Sequence, residues 1–107
     1  MPEYVPVLSL QELPPQGFKA VDVNGRSVLI GRAQNQLFAC LDRCPHAAAP
    51  LRIGTLRGTE LKCQRHGWIF DVLTGESIPD DPACHLTQIP VRVEGSQVLI
   101  LPPEIVS

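Results

Sequence analysis

Proline and glycine interrupt this chain so often that a long helix has nowhere to form. Eleven prolines and eight glycines fall among 107 residues, and a proline inside a helix both removes a hydrogen bond and clashes with the preceding turn. The segments between them are short apolar runs bounded by Pro, Gly, Asn and Asp, the pattern of an all-β protein. Candidate strands cover residues 4–7, 18–23, 27–32 and 36–41, with Asn24-Gly25 joining the second and third as a hairpin turn. A terminal hairpin is expected from 89–93 and 97–101 through Glu94-Gly95-Ser96. Ser9-Leu10-Gln11-Glu12 has capping-box spacing and predicts one helical turn before Pro14-Pro15 stops it. From Asp42 to about Pro79 the chain turns to loops, which reads as a small subdomain inserted into a β base.

Size and charge narrow the function classes. A chain of this length makes one domain with a modest core and needs no disulfide support. A net charge of -2, a pI near 5.8 and 5% aromatic residues offer neither a basic stripe nor stacking platforms for nucleic acid. The start, Met1-Pro2-Glu3-Tyr4-Val5-Pro6, has neither the positive charge nor the apolar run of a signal peptide, and no stretch reaches membrane-spanning length. The expectation is a cytoplasmic protein with no membrane partner, in a compartment where thiols stay reduced unless they hold metal.

Within the loop-rich segment, two cysteine-histidine pairs stand sixteen residues apart: Cys44-Pro45-His46 and Cys63-Gln64-Arg65-His66. Each supplies one thiolate and one imidazole. Two of only three histidines thus sit beside two of only four cysteines. Such a set suits a 2Fe-2S centre in which one iron takes both cysteines and the other both histidines. Tetrahedral Cys2His2 is also a zinc shell, so a zinc-stabilised interaction module is the competing reading, although zinc fingers usually group like ligands with like.

Cys44-Pro45-His46, then Cys63-Gln64-Arg65-His66-Gly67-Trp68-Ile69-Phe70-Asp71, Leu73-Thr74-Gly75 and a closing Pro90-Val91-Arg92-Val93-Glu94-Gly95 resemble the Rieske proteins over nearly the whole chain. Length and short loops are most similar to the ferredoxin components of bacterial aromatic-ring dioxygenases and toluene-type monooxygenases. The resemblance implies an antiparallel β sandwich, with residues 1–41 and 86–107 as β base and 42–85 as cluster-binding subdomain plus a covering proline loop. It implies one Rieske-type 2Fe-2S cluster held by Cys44, His46, Cys63 and His66.

Two departures from high-potential respiratory Rieske proteins carry physical weight. Those proteins place a serine and a tyrosine two and four residues after the second histidine, where hydroxyls donate to sulfur; here the positions hold Trp68 and Phe70. Two hydrogen bonds to a charged group, about 1.5 kcal/mol each, correspond to roughly 130 mV for one electron. A potential below zero is therefore expected, near the low end of the Rieske range of about -150 to +300 mV. Respiratory proteins also pin their ligand loops with a disulfide, but the matching positions here are Ala49 and Arg65. Loop integrity is expected from backbone hydrogen bonds, from Pro45, Pro50 and Gly67, and from packing by Leu51 and Trp68.

An outward imidazole edge at His46 and His66 would serve as docking centre, with Pro45, Ala47, Ala48, Arg65 and Trp68 as neighbours. Cys40, in the run Leu37-Phe38-Ala39-Cys40-Leu41, reads as a buried core thiol. Cys84-His85 follows Pro79-Asp80-Asp81-Pro82-Ala83, which resembles the proline loop over the cluster, so packing is favoured over ligation. A mononuclear oxygenase iron needs two histidines and a carboxylate, and only His85 is left; G-x-G-x-x-G is absent as well. The chain is thus expected to be no enzyme but a monomeric one-electron carrier between a flavin-dependent reductase and a terminal oxygenase. A small subunit of a nitrite-reductase-like complex and a detached redox domain are the other Rieske-fold options.

Overall fold

The computed structural model describes residues 3–44, 50–63, 67–78 and 84–102. Among the described residues ten strands run in chain order: β1 (Val5–Ser9), β2 (Gly17–Val23), β3 (Arg26–Ala33), β4 (Gln36–Leu41), β5 (Thr55–Arg57), β6 (Glu60–Lys62), β7 (Ile69–Asp71), β8 (Ser77–Ile78), β9 (Val91–Glu94) and β10 (Gln97–Ile100). They form three antiparallel sheets of order β1-β10-β9, β2-β3-β4 and β5-β6-β7-β8. The helix content among the described residues is two single 3-10 turns, Leu10–Glu12 and Leu51–Ile53. No helix of these residues is long and apolar enough to cross a membrane.

The middle sheet, β2-β3-β4, is covered on both faces, and the pleat explains how. Successive side chains of a strand point to opposite sides. On β3, Val28 and Ile30 join Ala39 of β4 against Val98 and Ile100 of β10, while Leu29 and Ala33 join Phe38 and Cys40 on the other side. Val28, Leu29 and Ile30 are all fully buried. A strand with two buried faces reads as a continuous apolar run rather than an alternating one, as Val28-Leu29-Ile30 does.

Local signals behave as their chemistry dictates. Asn24 and Gly25 both take positive φ, 54° and 82°, and turn β2 into β3. The Ser9 hydroxyl accepts from the Gln11 N–H and the Glu12 carboxylate accepts from the Ser9 N–H, completing the capping box. Gln34 and Asn35, at φ 51° and 66°, make a second hairpin turn between β3 and β4. Gln34 is a poor candidate by composition; Gln16 holds it by accepting from its N–H at 3.1 Å while donating to the Gly58 carbonyl at 2.6 Å.

The terminal hairpin begins later than the sequence suggests, at Val91 rather than residue 89. Pro90 has no N–H to give to a ladder, and the chain changes partners there. Before it, the Ile89 N–H donates to Ala39 and Gln88 bridges to Cys40, extending the middle sheet beyond β4. After it, β9 pairs with β10. The loop-rich segment also holds more strand than expected, four short strands in one sheet.

Candidate metal centre

The two cysteines leave the ends of strands that face the same core. β4 continues its ladder one residue past Leu41, with the Asp42 N–H donating to Ser27 at 3.0 Å. Arg43 then points to solvent and Cys44 turns inward, fully buried. Cys63 directly follows β6 and is equally buried. Its N–H donates to the Trp68 carbonyl at 2.6 Å, and its carbonyl accepts from the Gly67 N–H at 3.0 Å, closing the β6–β7 connection on itself. Gly67 sits at φ 72°, where a residue with a Cβ is disfavoured.

Cys44 and Cys63 belong to one apolar cluster with Leu29, Phe38, Leu51, Leu61 and Phe70. Trp68 packs against it from the edge, its ring stacked on Phe70 at 6.4 Å with 19° between planes. Two thiols buried together, each at the mouth of a short loop, fit the thiolate half of an iron-sulfur or zinc centre. His46 and His66, with Pro45, Ala47, Ala48, Ala49 and Arg65, lie outside the described residues, as do Pro79 to Ala83. Among the described residues no group of three or more His, Cys, Asp or Glu comes together, so the described part of the candidate set is the pair of thiols.

The other cysteines separate cleanly from this pair. Cys40 is fully buried under the middle sheet, and burial, helped by the Asp42 charge, pushes its thiol up to about 12. A thiol that does not ionise is neither nucleophile nor ready ligand, in keeping with a core role. Cys84 is half-buried and His85 exposed, just before Leu86, whose N–H donates to Gly75 at 2.7 Å.

One residue at the site escaped the reading of the sequence. The Asp42 side chain is fully buried and accepts from the Ser27 hydroxyl, the Arg52 N–H and the Arg52 Nη1, each at 2.8 Å. Burial by itself would raise its pKa, but the hydrogen bonds from Ser27, Arg52 and Leu51 outweigh that and hold the carboxyl below its ordinary range. The stability it contributes is therefore present above the unfolded value, near pH 4, and is lost as pH falls through the lower folded value. Its visible signal is slight: an aspartate at a strand end, two residues before a candidate ligand.

Comparison with known proteins adds an independent line. The family model described as the Rieske [2Fe-2S] domain matches residues 3–98. The ferredoxin component of a naphthalene 1,2-dioxygenase system from Pseudomonas aeruginosa is 29% identical over 92% of this chain and 94% of its own length. The ferredoxin of carbazole 1,9a-dioxygenase from Nocardioides aromaticivorans IC177 superposes with a TM-score of 0.82 at 31% identity, covering 94% of this chain and 98% of that one. A chain from the complex of reduced oxygenase and oxidized ferredoxin in carbazole 1,9a-dioxygenase gives a TM-score of 0.80 at 28% identity, with 92% of each chain covered.

Proposed function

Because the chain belongs to the Rieske [2Fe-2S] domain family, we propose that it is a soluble one-electron carrier between a flavin-dependent reductase and a terminal aromatic-ring oxygenase. It carries one Rieske-type 2Fe-2S cluster, which supplies one-electron oxidation and reduction. Cys44 and Cys63 hold one iron as thiolates and His46 and His66 hold the other. The observation that carries this is the burial of Cys44 and Cys63 in a single apolar cluster at the ends of two neighbouring loops. The acceptor side is supported by the solved complex in which a relative's ferredoxin accompanies its oxygenase.

The residues around the thiols set the potential. Leu51, Leu61 and Phe70 are fully buried beside them and keep water from that side. Phe70 and the half-buried Trp68 occupy the two places where high-potential relatives carry hydroxyls. An apolar lining without those donors disfavours the extra negative charge of the reduced site, so the potential lies below zero. A value above about +150 mV overturns this account. The protein acts in the cytoplasm as a monomer and is not itself a catalyst. Residues 42–85 make the cluster-binding subdomain, a division supported by the β5–β8 sheet lying wholly within that segment.

Purified protein should be reddish-brown and give an EPR signal when reduced, whereas bound zinc gives neither. Reduced protein is then offered to candidate oxygenases, and turnover by an aromatic-ring oxygenase is the expected outcome. Failure with every oxygenase, combined with turnover by a nitrite reductase-type partner, would redirect the carrier to that system.

A further inference from the structure

A Rieske loop pair without a disulfide needs another tie, and the structure contains one made from a carboxylate and a glycine. Asp42 lies two residues before Cys44. Its buried carboxylate reaches across the first loop to the backbone and guanidinium of Arg52, on the far side, and backward to Ser27 on β3. One side chain thereby pins both ends of the loop that carries Cys44 to the middle sheet. The 3-10 turn so anchored then meets the second loop. A Cβ on Gly54 would clash with the Lys62 carbonyl oxygen and crowd that of Leu51 at 3.1 Å, and Lys62 immediately precedes Cys63.

We infer that Asp42 and Gly54 are positioning residues for the cluster: the carboxylate clasps the Cys44 loop to the Leu51–Ile53 turn, and the glycine seats that turn against the backbone entering the Cys63 loop. The two ligand loops are thus joined noncovalently, in a chain whose Ala49 and Arg65 cannot form the bridge that respiratory relatives use. This rests on the reading of Cys44 and Cys63 as cluster ligands. The exposed flank of Arg52, with 53% of its side chain accessible, leaves the clasp one weak point: loss of that guanidinium removes one bond without opening the core.

The test uses the intact, cluster-loaded protein and reads three quantities: cluster lifetime against a chelator, midpoint potential, and unfolding temperature. Asp42→Ala removes all three hydrogen bonds to the carboxylate and should shorten cluster lifetime by about tenfold or more. Ser27→Ala and Arg52→Ala each remove one donor side chain and should shorten it by a few-fold; they keep the series readable if Asp42→Ala does not fold. Gly54→Ala should accelerate loss as well, with every hydrogen bond to Asp42 intact in sequence terms. Asp71→Asn is the matched control, because Asp71, at the end of β7, accepts from the Leu73 N–H in its own turn and from the Thr59 hydroxyl between β5 and β6, outside both ligand loops. In the clasp variants the potential shifts and cluster loss outruns the change in unfolding temperature, while in Asp71→Asn the potential stays at the wild-type value. If lifetime merely follows unfolding temperature across all variants and the potential is constant, the positioning role is overturned. Cys44→Ser separates the two levels: cluster loss there with unaltered Ser27→Ala, Arg52→Ala and Gly54→Ala proteins sinks the clasp alone, and an unaltered spectrum in Cys44→Ser sinks the ligand assignment.

Discussion

The two faces of the middle sheet are built from different materials. On one, Val28, Ile30 and Ala39 pack against Val98 and Ile100 with aliphatic side chains and no ionisable group among the buried members. On the other, Leu29 and Phe38 share their cluster with three cysteines, Phe70 and the loop turns that carry the candidate ligands. The first face is held by volume and exclusion of water. The second combines an apolar cluster, part of it from strands of two or three residues, with a buried carboxylate and the candidate metal ligands. Short strands pair few groups each, so the site sheet is expected to lean on its cofactor in a way that the base does not.

Removing the cluster is the largest perturbation of that contrast. Substituting serine for Cys63 should abolish the visible spectrum and EPR signal outright, and amide exchange should rise through β5–β8 while β3 and β10 stay protected. Uniform exchange across all three sheets would show that the two faces are not independent. Next in size, Ile30→Ala on the base face should cost about 2–5 kcal/mol in denaturant unfolding and leave the potential of loaded protein unmoved. A shift in potential there would mean that base packing is transmitted to the site.

A smaller effect belongs to the site face alone. Phe70→Tyr restores a hydroxyl where high-potential relatives have one, and one hydrogen bond of about 1.5 kcal/mol to a charged group should raise the potential by roughly 65 mV. An unchanged potential with folded protein would show that the position does not reach the cluster sulfurs. Smallest of all is the response of Cys40 to alkylation. With its thiol pushed up to about 12 by burial, it should react with iodoacetamide no faster than the base unfolds. Rapid labelling of Cys40 in native protein would reveal opening of the middle sheet beneath the site.

Much of this architecture is legible in the chain because its signals are local. Asn24-Gly25 must turn whatever surrounds it, Ser9 and Glu12 cap their own helix end, and two adjacent Cys/His pairs name a metal chemistry by spacing. The four-stranded site sheet was harder to see, since strands such as Thr55–Arg57 and Ser77–Ile78 are too short to show a period. The Gln34 turn was hidden for another reason: its positive φ is held by Gln16, eighteen residues away.

The sequence by itself determined the family, the mixed ligand pairs and the absence of hydroxyls at Trp68 and Phe70, because each is a matter of residue type at a fixed offset. Only the tertiary structure decided that a buried Asp42 carboxylate reaches Ser27 and Arg52, that Pro90 is where the chain changes sheets, and that Asp42 and Gly54 join the ligand loops. Those outcomes depend on which distant backbone N–H or carbonyl arrives beside a given side chain. A hydrogen bond or a steric approach between residues eight to fifty positions apart leaves no periodic trace in the order of the amino acids.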